Sequence, residues 1–556
     1  MKSLIRFTSL ALLAITALPS TSQAQFFEVK SEFTLADTLR GTITPERGWW
    51  DVTYYHLDVK VDIEAQTIYG SNLVQYRILE STGKEMQIDL QEPMNISRIT
   101  QDGAELEYRR IGNAFFVTLE ADQPVGSVKE LTVEYGGKPV VAARPPWDGG
   151  ITWVQDRNGN PFVASANQGI GASVWWPNKD HPADEPDSIL ISVTVPDNLM
   201  DVSNGRLRGV DEHNDGTKTW HWFVGNPINN YGVNINIGDY IHIPELYEGE
   251  DGELTLDYYV LSYNRERAIA QFADAPRTIE AFEHWFGPYP FYKDGFKLVE
   301  APYLGMEHQS SVTYGNGYQN GYLGRDLSQS GWGLRFDFII VHESGHEWFA
   351  NSITSNDVAD LWVHESFTNY SENLFLDYHF GREASEEYVI GTRLNISNDR
   401  PIEGIRNVHY EGSSDMYYKG GNLLHNIRTI INDDEVWRSI LRGLNKEYYH
   451  QTVTGEQIES YISEKSGMDL SKVFDQYLRD VRIPVLEYAF KGNQVRYRWG
   501  NVIADFDMPV DVVINGKSMR LTPTTQWQEM ATTGVDKSLD VDVNFYVGKM
   551  NVLGSN

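Results

Sequence analysis

Cysteine is absent from all 556 residues. That excludes disulfides, thiolate nucleophiles and thiolate metal ligands, so any bound metal must be held by histidine nitrogens and carboxylate oxygens. Positive charge is scarce. Lys and Arg together number 46 against 78 Asp and Glu, a formal net charge of −32. So acidic a surface repels nucleic acid and anionic lipid, and is compatible with cationic peptide partners or with plain solubility. Past the N-terminus no apolar run is long enough for a transmembrane helix. Tandem repeats and low-complexity segments are lacking too. What is present, 41% hydrophobic and 12% aromatic residues, describes a folded chain with length for several domains.

The N-terminus reads as a targeting signal. Lys2 and Arg6 precede an apolar run over residues 7–18, and Ser22-Gln23-Ala24 offers a cleavage site before Gln25. The run is short for a bilayer span and no cysteine follows it to carry a lipid. The expectation is a cleaved signal peptide (1–24), a short extension (25–47), and a periplasmic or secreted protein without stable membrane insertion.

Residues 48–245 alternate with period two. Leu57, Val59, Val61 and Ile63 interleave with Asp58, Lys60 and Asp62, the pattern of a sheet with one wet face. Further runs at 73–79, 86–90 and 189–195 complete an all-β domain. From 246 to 483 the signals mix: a strand over 254–263, a single amphipathic helix over 265–286, and an edge strand over 296–302 closed by Pro302. Helical spacing then dominates, with residues 415–421 read as an interruption before it resumes over 422–431, and Thr454-x-x-Gln457 as a capping box. After Pro484 period two returns. Asn515-Gly516 marks a hairpin in a small, sandwich-like β domain (484–556).

One passage carries chemistry on its own. His342 and His346 lie four apart with Glu343 after the first. On a helix both imidazoles project from one face and can grip one ion, leaving Glu343 free as a base. A third ligand is needed, and Glu365 follows in what reads as the first turn of another helix, marked by Phe367, Tyr370 and Leu374.

These residues resemble the zinc signature of the M1-type gluzincin aminopeptidases, which include aminopeptidase N and leukotriene A4 hydrolase. His346-Glu347-Trp348-Phe349-Ala350-Asn351 is similar to that family's HQWFGN, and Leu361-Trp362-Val363-His364-Glu365-Ser366-Phe367 to its LWLNEGF. Glu347, His364 and Ser366 depart from the usual Gln, Asn and Gly. No departure removes a ligand, but His364 adds an imidazole beside Glu365. Leu304-Gly305-Met306-Glu307-His308 resembles the exopeptidase word GAMEN, which makes Glu307 the carboxylate for the substrate's α-ammonium. Tyr417-Tyr418-Lys419-Gly420 resembles YEKG, which gives Tyr417 the oxyanion. Gln168, with Asp184-Glu185-Pro186 downstream, matches a further segment that helps hold the amine, although that segment's acid falls here on Ile170.

The resemblance implies a thermolysin-like α+β catalytic domain in a multidomain chain, without the large C-terminal helical domain of longer members and hence with a more open cleft. It also implies one zinc ion on His342, His346 and Glu365, Glu343 as general base, and peptides with a free N-terminus as substrates. A zinc endopeptidase or other hydrolase on the same scaffold, and a catalytically silent peptide-binding protein, remain alternatives.

Overall fold

The computed structural model describes residues 32–81, 85–119, 124–533 and 537–552. The signal segment (1–24) and the start of the extension lie outside the described residues. The rest of the extension forms two short helices, Leu35–Gly41 and Pro45–Gly48. Arg47 anchors them: its buried guanidinium donates to the carbonyls of Leu39, Arg40 and Thr42 and to Asp89 Oδ2.

Alternation builds the first domain. In the strand Trp50–Asp62, Leu57, Val59 and Val61 are buried while Asp58 and Asp62 are exposed. It pairs antiparallel with Thr67–Ile78 and parallel with Ser188–Pro196, at the middle of an eight-stranded sheet. A four-stranded sheet (Met200–Ser203, Ile235–Gly238, Pro161–Ala166, Gly150–Gln155) and a three-stranded one complete the layers. Trp175 and Trp176 sit fully buried in the core between them.

Three expectations are corrected in the second domain. The strand Tyr240–Gly249 pairs along its whole length with Gly252–Leu261, so a boundary at 245/246 would cut a strand. The strand carries Pro244 inside it, which its place at the edge of the sheet tolerates, since a missing N–H costs little there. Conversely, Phe296–Glu300 is no edge strand. It is third of five, paired on both sides, and all five residues are buried. Pro302 lies beyond its end and removes no ladder bond. The expected helix over 265–286 is two, Arg265–Gln271 and Asp274–Phe286. Pro276 has no N–H for the Phe272 carbonyl, which cuts the ladder there.

Three helices frame the site: Phe338–Gly345, Trp362–Phe380 and Tyr418–Ile431. The expected interruption over 415–421 is shorter than read: the third helix already starts at Tyr418 and runs through Gly420 and Gly421. A methyl at Gly420 would lie 2.0 Å from Ser366 Oγ, and one at Gly421 2.3 Å from Asn369 Oδ1. These glycines let the second and third helices touch, against a helix-propensity cost of about 1 kcal/mol each. The Thr454 capping box forms, with Thr454 N–H donating to Gln457 Oε1 at 2.8 Å. The C-terminal region is two sheets, of four and three strands. Asn515 and Gly516 turn the hairpin at φ +50° and +79°. Among the described residues no helix is long and apolar enough to cross a membrane.

Candidate metal centre

The first site helix starts where Asp337 accepts the N–H groups of Ile339 and Ile340 and the Tyr314 hydroxyl. That fixes its register against the sheet. His342 and His346 follow one turn apart, with ring centroids separated by 5.1 Å. From the second helix Glu365 brings Oε2 to 3.4 Å from His346 Nε2 and 3.8 Å from His342 Nε2. The ligand atoms of all three lie within 4.8 Å of one another.

Each imidazole is held by its other nitrogen. His342 Nδ1 donates to Glu372 Oε1 at 2.8 Å, and Tyr388 donates to the other oxygen of Glu372 at 2.6 Å. His346 Nδ1 lies 3.0 Å from the Phe349 carbonyl. The free Nε2 lone pairs therefore face one point, as metal-binding histidines require. Glu365 Oε2 is buried there with no hydrogen-bond partner. An orphaned carboxylate oxygen beside two imidazole nitrogens, with no thiolate in the chain, is a donor set that suits zinc.

The remaining expected residues line the same cavity, of about 190 Å³: Gln168, Glu307, Glu343 and Tyr417, together with the three ligands. Glu307, Glu343 and His346 offer atoms within 4.8 Å of each other. Burial pushes the Glu343 carboxyl up to about 7, with His342 opposing and Glu307 adding to the rise. Tyr417 stacks on the His342 ring at 6.0 Å. Burial, then Glu365 and Glu307, hold its hydroxyl well above the usual phenol range, so it stays a donor. Gln168 donates to Glu307 Oε1 at 2.7 Å and to Glu365 Oε1 at 3.1 Å.

Other residues sort differently. Ile170 packs against the core of the first domain. His364 accepts the Ser355 N–H on Nε2 at 2.8 Å, which commits that nitrogen's lone pair and leaves it none for a metal. His308 is fully buried with neither ring nitrogen hydrogen-bonded, and burial pushes it down to about 3, so it is neutral. Glu347 accepts the Ser310 N–H at 2.8 Å and burial pushes it up to about 8.

Sequence reading missed several supports. Asn351 donates to the Glu307 carbonyl at 2.9 Å, and Asn369 to Glu372 at 3.2 Å. Glu372 had a signal: it is an acid two turns beyond Glu365 on a helix otherwise marked by Phe367, Tyr370 and Leu374. Glu411, also on the cavity wall, had none.

Two imidazoles and a carboxylate converge on one buried point, with a further glutamate beside them, an arrangement that can hold one metal ion next to a base. Residues 271–477 match the peptidase family M1 domain. The chain is 23% identical over 84% of its length to "Probable aminopeptidase 1" of Sulfurisphaera tokodaii, covering 59% of that protein. It is also 23% identical over 66% of its length to a leucyl aminopeptidase of Saccharolobus solfataricus, covering 48% of it. It thus spans about half the length of these curated relatives. Among solved structures, an M1 zinc metallopeptidase from Deinococcus radiodurans bound to the peptide Tyr-Ser-Ala superposes with a TM-score of 0.66 at 19% identity. That match covers 78% of this chain and 95% of the other, and at this identity the likeness concerns the fold.

Proposed function

We propose that this protein is an exported zinc aminopeptidase that removes the first residue from peptides with a free N-terminus. The observation that carries the reading is the meeting of His342, His346, Glu365, Glu343 and Glu307 on one small cavity. A zinc ion on the three ligands would polarise the scissile carbonyl and acidify a nearby water. Glu343 takes the water's proton and passes it to the leaving amine; a carboxyl near 7 suits both duties at neutral pH. Tyr417 donates its O–H to the oxygen on which negative charge develops. Glu307, with Gln168 steadying it at 2.7 Å, pairs with the α-ammonium and so presents only the first peptide bond.

Export rests on Lys2, Arg6 and the apolar run after them, and places the enzyme in the periplasm or outside the cell. N-terminal sequencing of secreted material beginning at Gln25 would support it, and retention of Met1 would refute it. For the activity, the zinc-loaded protein is offered leucyl and arginyl p-nitroanilides and their N-acetyl counterparts, with and without chelator. Cleavage of the free-amine set that is lost on chelation is the expected result. Equal cleavage of the blocked set would make the protein an endopeptidase or another hydrolase, and inertness towards both would make it a binding protein.

A further inference from the structure

An α-ammonium carries three N–H donors and needs three acceptors when it is taken out of water. Two are in place. Glu307 offers its carboxylate, and Gln168, whose amide nitrogen is committed to Glu307 and Glu365, is left with its carbonyl oxygen. The next side chains along the Gln168 loop supply nothing: Gly169 has none, and Ile170 is apolar and packs into the first domain's core.

Glu411 fills the gap from a different part of the chain. It belongs to the loop before the third site helix and lines the same cavity. Its carboxylate lies beside the Gln168 loop: a methyl built on Gly169 would come 3.9 Å from Glu411 Oε1. The loop is clamped there from two sides, since Arg40 Nη2 donates to the Gly169 carbonyl at 2.7 Å and His409 Nε2 lies 3.0 Å from it. Among the described residues Glu411 accepts no hydrogen bond from another residue. Arg40 is engaged by Gly169, and Arg400 is paired with Asp399 at 2.8 Å. Among the described residues no lysine or arginine lines the cavity. Glu411 thus feels Arg40 and Arg400 only at a distance, and a largely enclosed carboxylate without a direct ion pair, on the wall of the cavity that also holds Glu307, is placed to take a counter-charge from the ligand.

We infer that Glu411 is a second carboxylate for the substrate's α-ammonium, acting with Glu307 and Gln168. Glu307 approaches from the sheet side, while Glu411 approaches across Gly169. Burial pushes Glu411 up to about 7, with Arg40 and Arg400 opposing and Glu365 adding to the rise, so the arriving ammonium stabilises the ionised form that binds it. The inference rests on the aminopeptidase reading, which the chelator-sensitive turnover of the wild-type protein tests on its own.

The test is steady-state kinetics of zinc-loaded, full-length E411Q on leucyl and arginyl p-nitroanilide. KM should rise about tenfold or more, the size expected for a lost charge-assisted bond. It should rise by the same factor for both substrates, with kcat within about twofold and the thermal midpoint unchanged. E411D should recover part of the loss. An unchanged KM would overturn the inference. So would a rise confined to the arginyl substrate, which would assign Glu411 to the side-chain pocket, or a fall in kcat alone, which would assign it to the chemistry.

Discussion

The two halves of the cavity are built differently. On the metal side the three ligands stand on a helix or at its end, and each imidazole is backed by another group. Glu372 holds His342 and is itself held by Tyr388 and Asn369, and the Phe349 carbonyl faces His346. On the amine side Gln168, Glu307 and Glu411 come from three separate segments, and neither ring nitrogen of His308, next to Glu307, is hydrogen-bonded. Rigid helices fix a metal's coordination geometry within tenths of an ångström. A charged amine tolerates a looser arrangement, so its acceptors can come from different places in the chain. The metal side should therefore fail abruptly when altered and the amine side by degrees.

The largest effect belongs to Glu343. Replacing it with Gln keeps the size and the metal ligands and removes the base. We expect activity to fall by about 10²–10⁴-fold with zinc content unchanged by elemental analysis. Full turnover in that variant would shift the base elsewhere. Next is Glu307→Ala on the amine side, which should raise KM for free-amine substrates by at least tenfold while leaving any residual cleavage of N-acetylated ones unaltered. Equal losses on both would remove Glu307 as the anchor. Glu372→Gln addresses the backing layer. It leaves His342 in place but weakens its tether, and zinc affinity should drop by about 10–100-fold by competition with a chelator. Unaltered affinity would mean that the helices alone orient the ring.

The same contrast separates what was legible in the sequence from what was not. The metal ligands could be read because helix geometry converts a spacing of four into a shared face. Glu365 could be placed because its helix announces itself through Phe367, Tyr370 and Leu374. The alternation of Leu57, Val59 and Val61 likewise exposed the first domain's sheet. Legibility failed wherever a residue's meaning depends on its neighbours in space. Pro244 and Pro302 look alike in sequence, yet one lies within an edge strand and the other lies beyond a central one. Gly420-Gly421 closes a stretch that looks like a helix interruption and is a helix contact. Glu411 is an ordinary loop acid until the fold sets it against Gly169, which is 242 positions earlier by residue number (411 − 169).

The smallest effect sharpens the metal side at one backbone position. Ala350, in the bend that follows His346, has φ +141° and is fully buried, a conformation that glycine adopts freely and alanine does not. The family's word HQWFGN has glycine at this slot. The bend is held from both ends: the Ala350 N–H donates to the Ile353 carbonyl at 3.1 Å, and Thr354 Oγ1 donates to the Ala350 carbonyl at 2.6 Å. The strain of such a residue is about 1–3 kcal/mol. Against it stand the looser unfolded chain of a glycine variant, about 0.4–1 kcal/mol, and the loss of one buried methyl, about 0.8 kcal/mol. Ala350→Gly should therefore stabilise the protein by about 0.5 kcal/mol at mid-range and by no more than about 2 kcal/mol, read as a rise of a few degrees or less in the thermal midpoint, with zinc affinity unchanged. A lower midpoint would mean that the methyl's packing outweighs the strain and that the bend has settled around alanine.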